Sequence, residues 1–189
     1  MNEKRWLSCT DAGKMLTFLD GKASARKLRL FVCACCRDIA AGMDAGKRGT
    51  LALVERVAEG QAPLEELLAY YADLHGDNTS WVADPLEFAR RCAEWAVRIG
   101  DGKTEPRFQP HLLRCLFGNP WHPLQPRIFP VHVVGLAQSI YASFPAVSAE
   151  YTILADALEE LGEAEAAAHC RTELHAKGCY VLDCLTGRS

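Results

Sequence analysis

Apolar residues recur along this chain at alternating steps of three and four, and this spacing constrains the fold more than any other feature. Three segments show it most clearly: Leu28, Val32, Cys35 and Ile39; Phe88, Cys92, Trp95 and Ile99; and Tyr151, Leu154, Leu158 and Leu161. Side chains at these steps lie on one face of an α-helix. No alternation typical of β-strands persists beyond a few residues. The sequence therefore predicts an all-α protein of about eight helices.

The chain has 189 residues, a length that fits a single domain. Its most irregular segment, residues 118–126, contains three prolines. Proline lacks the backbone donor that a helix interior requires, so this segment is expected to be a loop. We expect one irregular helical domain over residues 1–189, in which a subdomain boundary could fall at this loop.

Charge is unevenly distributed along the chain. Residues 1–50 contain ten Lys and Arg against five Asp and Glu, whereas residues 51–189 contain eleven against nineteen, and the net charge is −3. The simplest interpretation is that the two parts attract each other within one fold, and the alternative is a basic patch for an anionic partner. No aromatic residues alternate with the basic ones to stack on bases, so a nucleic-acid partner is not expected.

Nine cysteines are many for this length. The N-terminal residues are polar, no apolar segment of a secretory signal follows them, and no apolar run could span a bilayer. We therefore expect a cytoplasmic protein without a membrane partner. Its cysteines are expected to be reduced and mostly buried as small apolar side chains.

One group of cysteines and histidines has the chemistry of a zinc site. Four ligands lie within eleven residues near the end of the chain: His169, Cys170, His175 and Cys179. They could hold zinc tetrahedrally, and Cys35 or Cys36 could replace one of them if the two ends of the chain meet. The spacing matches no standard zinc motif, so buried cysteines beside surface histidines are the alternative.

A second group centres on Cys33, which shares a helical face with Arg26, Arg29 and Arg37. Cations favour a thiolate, so Cys33 could be a reactive thiol if it is exposed. The alternative is that Cys33 packs beneath the arginine side chains at an interface. The three arginines are also candidates for an exposed contact surface.

Trp121 and His122, in the proline-rich loop, are the best candidates for a recognition element. Prolines fix the backbone, so little conformational entropy is lost when such a loop binds a partner. The alternative is that Trp121 closes one end of the core together with Phe117.

Motifs of the common enzyme classes are missing from the sequence. There is no G-x-S-x-G nucleophile elbow, no G-x-G-x-x-G and no P-loop, and no pair of carboxylates suggests acid–base catalysis. The sequence therefore favours a protein that is not an enzyme.

Several stretches, taken together, resemble one protein family. They are Trp6–Asp11, Gly21–Phe31 with Cys35, Cys36 and Arg37, Phe117–Pro120, Ile153–Glu160, and His169–Arg171 with His175, Gly178 and Cys179. The pattern resembles a large paralogous family of planctomycetes and similar large-genome bacteria, and it spans nearly the whole chain. Residues Ala155–Gly162 are also similar to a short repeat-companion domain of those bacteria. The resemblance implies a bacterial, cytoplasmic, helical protein and brings no established activity.

These observations favour a non-catalytic protein-interaction or accessory module without a cofactor, which binds another protein or itself. The first alternative is a small domain stabilised by zinc. The second alternative is a thiol-dependent enzyme or redox sensor that uses Cys33.

Overall fold

The computed structural model describes residues 1–37, 39, 42–76, 79–99, 108–145, 148–172 and 174–188. These ranges contain twelve α-helices and no β-strand, which confirms the all-α class, whereas the predicted number of about eight helices is too low. The helices are α1 (Glu3–Ser8), α2 (Ala12–Phe18), α3 (Ala25–Arg37), α4 (Ala45–Ala58), α5 (Leu64–His75), α6 (Ser80–Ala83), α7 (Pro85–Ile99), α8 (Phe108–Phe117), α9 (Val131–Ala142), α10 (Ser148–Glu160), α11 (Ala164–Cys170) and α12 (Tyr180–Thr186). Helices α1 and α6 are too short to show a periodic pattern.

The chain divides into two compact units. Unit 1 contains Met1 and residues 8–110, and unit 2 contains residues 2–7 and 111–189. The division falls inside α8, and the proline-rich loop at 118–126 lies within unit 2. Among the described residues, none of the helices combines the length and the apolar character that crossing a membrane requires.

Helix α3 is the centre of unit 1. Every residue from Leu28 to Cys36 is buried, because α3 packs against both α4 and α7. Phe31 on α3 and Phe88 on α7 are the largest fully buried side chains of these two helices. Burial on more than one side explains why the apolar stripe of α3 is wider than the four residues that the sequence pattern indicates.

Unit 2 is built from α8 to α12, together with α1. Helix α10 packs against α9 and α11, and α12 packs against α9. The fully buried Trp6 of α1 donates its indole N–H to the carbonyl of Gly118 at 2.9 Å. Gly118 has a φ of 63°, and a Cβ at this position would lie 2.9 Å from the ring of Tyr180. A glycine is therefore needed where the end of α8 meets the start of α12.

Candidate metal centre

Two cysteines and two histidines of unit 2 form a compact cluster, which consists of Cys115, His169, His175 and Cys179. One ligand atom from each residue lies within 4.8 Å of the other three. Cys115 and Cys179 are 1% and 0% exposed, and the two histidines are half-buried. Thiolate sulfur and imidazole nitrogen are ligands that zinc prefers in proteins.

Three helices and one loop bring these four side chains together. Cys115 lies on the buried face of α8, and His169 lies in the last turn of α11. His175 belongs to the loop after α11, and Cys179 is the residue that caps the N-terminus of α12. The cluster therefore joins α8 to a part of the chain that is far away in the sequence.

One contact inside the cluster is close to the ligand–ligand distance of a tetrahedral zinc site. His169 Nε2 lies 3.3 Å from Cys179 Sγ. Zinc bonds of about 2.0 Å to nitrogen and about 2.3 Å to sulfur place the two ligand atoms roughly 3.6 Å apart in a tetrahedron. Cys115 Sγ also accepts a hydrogen bond from the backbone N–H of Ala176 at 3.3 Å, which fixes this sulfur toward the loop that carries His175.

Cys179 and His169 shift each other's protonation. Burial opposes ionisation of the Cys179 thiol, but the hydrogen bond with Cys115, the charge of His169 and the close contacts with His169 and His175 outweigh it, so its pKa lies well below the ordinary value. Burial also favours neutral His169, yet the charge of Cys179 and the hydrogen bond to it raise the pKa of His169. A divalent cation would stabilise the same thiolate and replace the proton on the imidazole.

His175 has two buried ring nitrogens, and neither one has a partner with the geometry of a hydrogen bond among the described residues, although Cys179 is near. Its ring stacks on that of Tyr151, with the centroids 3.7 Å apart and an interplanar angle of 3°. Buried polar atoms without a partner are rare in folded proteins because their desolvation is not compensated. A metal ion would satisfy one of these nitrogens, so the residues present fit a zinc ion.

The structure brings together some of the residues predicted as metal ligands. His169, His175 and Cys179 lie in the cluster, and the fourth member is Cys115, which the sequence analysis did not single out. Cys170 is 1% exposed in α11 and is not a member of the cluster. Cys35 and Cys36 are buried in α3, in the other unit.

The arginines proposed as a contact surface are engaged within unit 1. Arg26 forms an ion pair with Glu59 at 3.2 Å, and their side chains are only 15% and 10% exposed. Arg29 is 6% exposed, and burial lowers the pKa of its guanidinium. Arg37 donates to Glu55 at 3.3 Å and is half-buried. The burial of the first two is unsuited to an exposed contact surface.

Cys33 has the opposite character from the reactive thiol considered above. It is 1% exposed. Burial, followed by the charge of Glu55, raises its pKa well above the ordinary value, and Arg37 offsets this only in part. The thiolate is therefore disfavoured, because desolvation outweighs the nearby cation.

Trp121 and His122 both reach the surface of unit 2. Trp121 is 37% exposed, and its backbone N–H donates to the side-chain oxygen of Asn119 at 3.1 Å. His122 Nε2 lies 3.3 Å from a carboxylate oxygen of Glu3. The exposed tryptophan is compatible with a recognition element, which stays a prediction.

The fold and the cluster together define an all-α protein in which two cysteines and two histidines lie close together. No protein-family model, no curated protein and no solved structure matches the chain. The resemblance to the planctomycete family stays a prediction for this reason, and the function is argued from the site itself.

Proposed function

We propose that this protein binds one zinc ion through Cys115, His169, His175 and Cys179, and that the ion has a structural role. The observation that carries the proposal is the convergence of these four ligand atoms within 4.8 Å of one another. Two thiolates would balance the charge of a divalent zinc ion, so the filled site carries no net charge in a largely buried position.

A structural role is favoured over a catalytic one by the number of ligands. Catalytic zinc sites keep one position open for water or substrate, whereas structural sites are closed by four protein ligands. Here four side chains supply a complete tetrahedral set, and both sulfurs are buried. We therefore propose a protein that is not an enzyme at this site.

The proposed ion would stabilise a part of unit 2 that has little regular structure. Between α11 and α12 the chain forms no helix over the described residues 171, 172 and 174–179. A metal bound by His175 and Cys179 from this segment, and by Cys115 from α8, would close a long loop and add its binding free energy to folding.

Elemental analysis of untagged protein, purified under reducing conditions, tests this proposal. We expect about one zinc per chain, and we expect a strong chelator to reduce helicity as the metal leaves. Protein that folds without any metal would contradict the proposal.

Two matched variants sharpen the test, because Cys115 and Cys170 are equally buried thiols of unit 2. Cys115→Ala should abolish zinc binding, whereas Cys170→Ala should leave the stoichiometry unchanged. Equal zinc loss in the two variants would show that the assignment of ligands is wrong.

We also propose that unit 2 is an interaction module that binds a second copy of this chain. The observation in favour is a pair of strongly exposed apolar side chains next to the proline-rich loop, since Ile128 is 99% and Val131 is 88% exposed. Exposed apolar side chains are unfavourable in water, and contact with a second copy of the chain would bury them.

Sedimentation over a range of protein concentrations tests this second proposal. The wild-type protein should self-associate, and the double variant Ile128→Asp, Val131→Asp should stay monomeric. Ile153→Asp is the control, because Ile153 is 59% exposed in α10, away from the loop in sequence. A wild-type protein that is monomeric at every concentration would contradict the proposal.

A further inference from the structure

Unit 1 encloses a cavity that the proposed zinc site does not use. Its volume is about 910 Å³, and the described residues that line it come from α3 to α7 and from the two residues just before α4. All of these residues belong to unit 1. Sites for small molecules in proteins are concave and have volumes of about 300–1,000 Å³. The cavity therefore has the size and the enclosure of a small-molecule site.

Aromatic side chains form much of the cavity wall. Four of them line it: Tyr70 and Tyr71 of α5, Trp81 of α6 and Trp95 of α7. Tyr71 and Trp81 meet edge to face, with their ring centroids 5.3 Å apart. Trp95 is half-buried and makes no ring contact with another described residue. Aromatic rings attract one another in stacked and edge-to-face arrangements, so a wall of this kind suits a ligand with a planar ring.

The inner part of the cavity is apolar and poorly solvated. Val32 and Val54 line it and are buried. Burial raises the pKa of the Cys36 thiol to about 12 and also raises the pKa of Cys92, and both thiols line the cavity. Leu74 lines it as well but is 57% exposed, so it lies at the opening. An apolar ligand body would cover this leucine and fill the interior.

The charged residues around the cavity leave one cation without an anionic partner. Three pairs of opposite charge line it: Lys47 with Asp44 at 2.8 Å, Arg91 with Glu87 at 2.7 Å, and Arg98 with Glu94 at 4.0 Å. Arg90 is the fourth cation of the lining. It donates to the hydroxyl of Thr17 at 3.4 Å, and among the described residues no carboxylate pairs with it. The lining therefore has an excess of one positive charge, which complements an anion.

We propose that unit 1 binds a small planar aromatic carboxylate in this cavity, with its ring against Trp95 and its carboxylate on Arg90. A guanidinium group binds a carboxylate through two parallel N–H···O hydrogen bonds, which fix the direction of the ligand. The unpaired arginine favours an anion over a neutral ligand, and the four aromatic residues favour a ring over an aliphatic chain. The inference rests on residues of unit 1 alone and does not depend on zinc binding.

Isothermal titration calorimetry with 2-naphthoate tests the inference, and 2-naphthamide is the matched probe because it has the same ring without the charge. We expect the carboxylate to bind at least about tenfold more tightly than the amide. Arg90→Gln should weaken binding of the carboxylate about tenfold and leave that of the amide unchanged, since only the carboxylate makes charge-assisted hydrogen bonds. Arg56→Gln is the control, because Arg56 pairs with Glu66 at 3.3 Å in unit 1 and does not line the cavity.

A second variant locates the ligand. Thr50 lines the cavity, so Thr50→Trp should fill part of it and abolish binding of both probes, with circular dichroism to verify folding. A wild-type protein that binds neither probe overturns the inference, and so does a folded Thr50→Trp protein that binds both normally. Equal binding of the two probes, or normal binding of naphthoate by Arg90→Gln, overturns the role of Arg90. Should Thr50→Trp fail to fold, Arg90→Gln and its control decide the inference.

Discussion

Cysteines are buried in both units, but the two sets differ in their chemistry. In unit 1, burial raises the pKa of Cys33 well above the ordinary value and that of Cys36 to about 12. In unit 2, Cys179 is fully buried, yet its pKa lies well below the ordinary value. The difference comes from the hydrogen bond with Cys115 and from His169, which lies 3.3 Å from the Cys179 sulfur.

This comparison shows that burial alone does not determine what a cysteine does. A buried thiol without a cationic or hydrogen-bonding neighbour stays protonated and behaves as a small apolar side chain. A buried thiol that shares its site with histidines and a second thiol is shifted toward the thiolate, the form that binds metals. Each prediction below tests one aspect of this contrast between the two units.

The largest effect is expected from removing a proposed ligand. Cys179→Ala should abolish zinc binding and unfold unit 2. Structural zinc in small domains contributes about 10–16 kcal/mol of binding free energy. This is comparable to the free energy of unfolding of a whole domain. Zinc content and circular dichroism measure the two effects. Cys36→Ala, the matched change in unit 1, should cost only about 1 kcal/mol. A folded Cys179→Ala protein with normal zinc content would contradict this prediction.

Chelation should separate the two sets of cysteines in their reactivity. A metal-bound thiolate is protected from alkylation, so removal of zinc should make Cys115 and Cys179 react at least about tenfold faster. Their alkylation rates should then rise with the frequency of local unfolding in unit 2. Cys33 and Cys36 should stay unreactive until unit 1 itself unfolds. Mass spectrometry of peptides after a timed reaction measures each site. Equal acceleration at Cys33 would show that the two units do not differ in this way.

High pH should destabilise unit 1 through Cys36. The pKa of Cys36 is raised in the folded state, from 9.0 to about 12. The stability from this group is therefore fully present below about pH 9 and is lost as pH rises toward about 12, by at most about 1.4 kcal/mol per pH unit. Urea unfolding at about pH 8 and about pH 11 measures the loss. Cys36→Ala should reduce it, and an unchanged pH dependence in this variant would refute the role of the thiol.

The helices and part of the candidate metal centre could be predicted from the sequence. Apolar residues at steps of three and four correctly predicted helices α3, α7 and α10, because helix periodicity depends only on the local sequence. His169, His175 and Cys179 could be found because they lie close together in the chain. Cys115 could not, since it reaches the site through the packing of α8 and lies more than fifty residues before the other three in the sequence.

Cys170 and the cysteine pair of α3 show the limits of reading ligands by proximity in sequence. Cys170 directly follows His169, but successive side chains on an α-helix point about 100° apart. The side chains of His169 and Cys170 therefore face different directions, and an ion bound by His169 would not be bound by Cys170. Cys35 and Cys36 have the right chemistry, and only the division of the chain shows that they belong to the core of unit 1. Local sequence carries no information on which distant segments share a unit.

The smallest effect is expected from an ion pair on the surface of unit 2. Arg127 binds Glu163 at 2.9 Å just before α11, the helix that carries His169, but the two side chains are 45% and 26% exposed. Water and salt screen such a pair, so Arg127→Ala should lower the free energy of unfolding by less than about 1 kcal/mol and leave zinc content unchanged. Denaturation of the zinc-loaded protein at low and high salt measures the contribution, which should shrink as salt rises. A loss of zinc in Arg127→Ala would mean that the surface ion pair, rather than the four ligands, determines the position of α11.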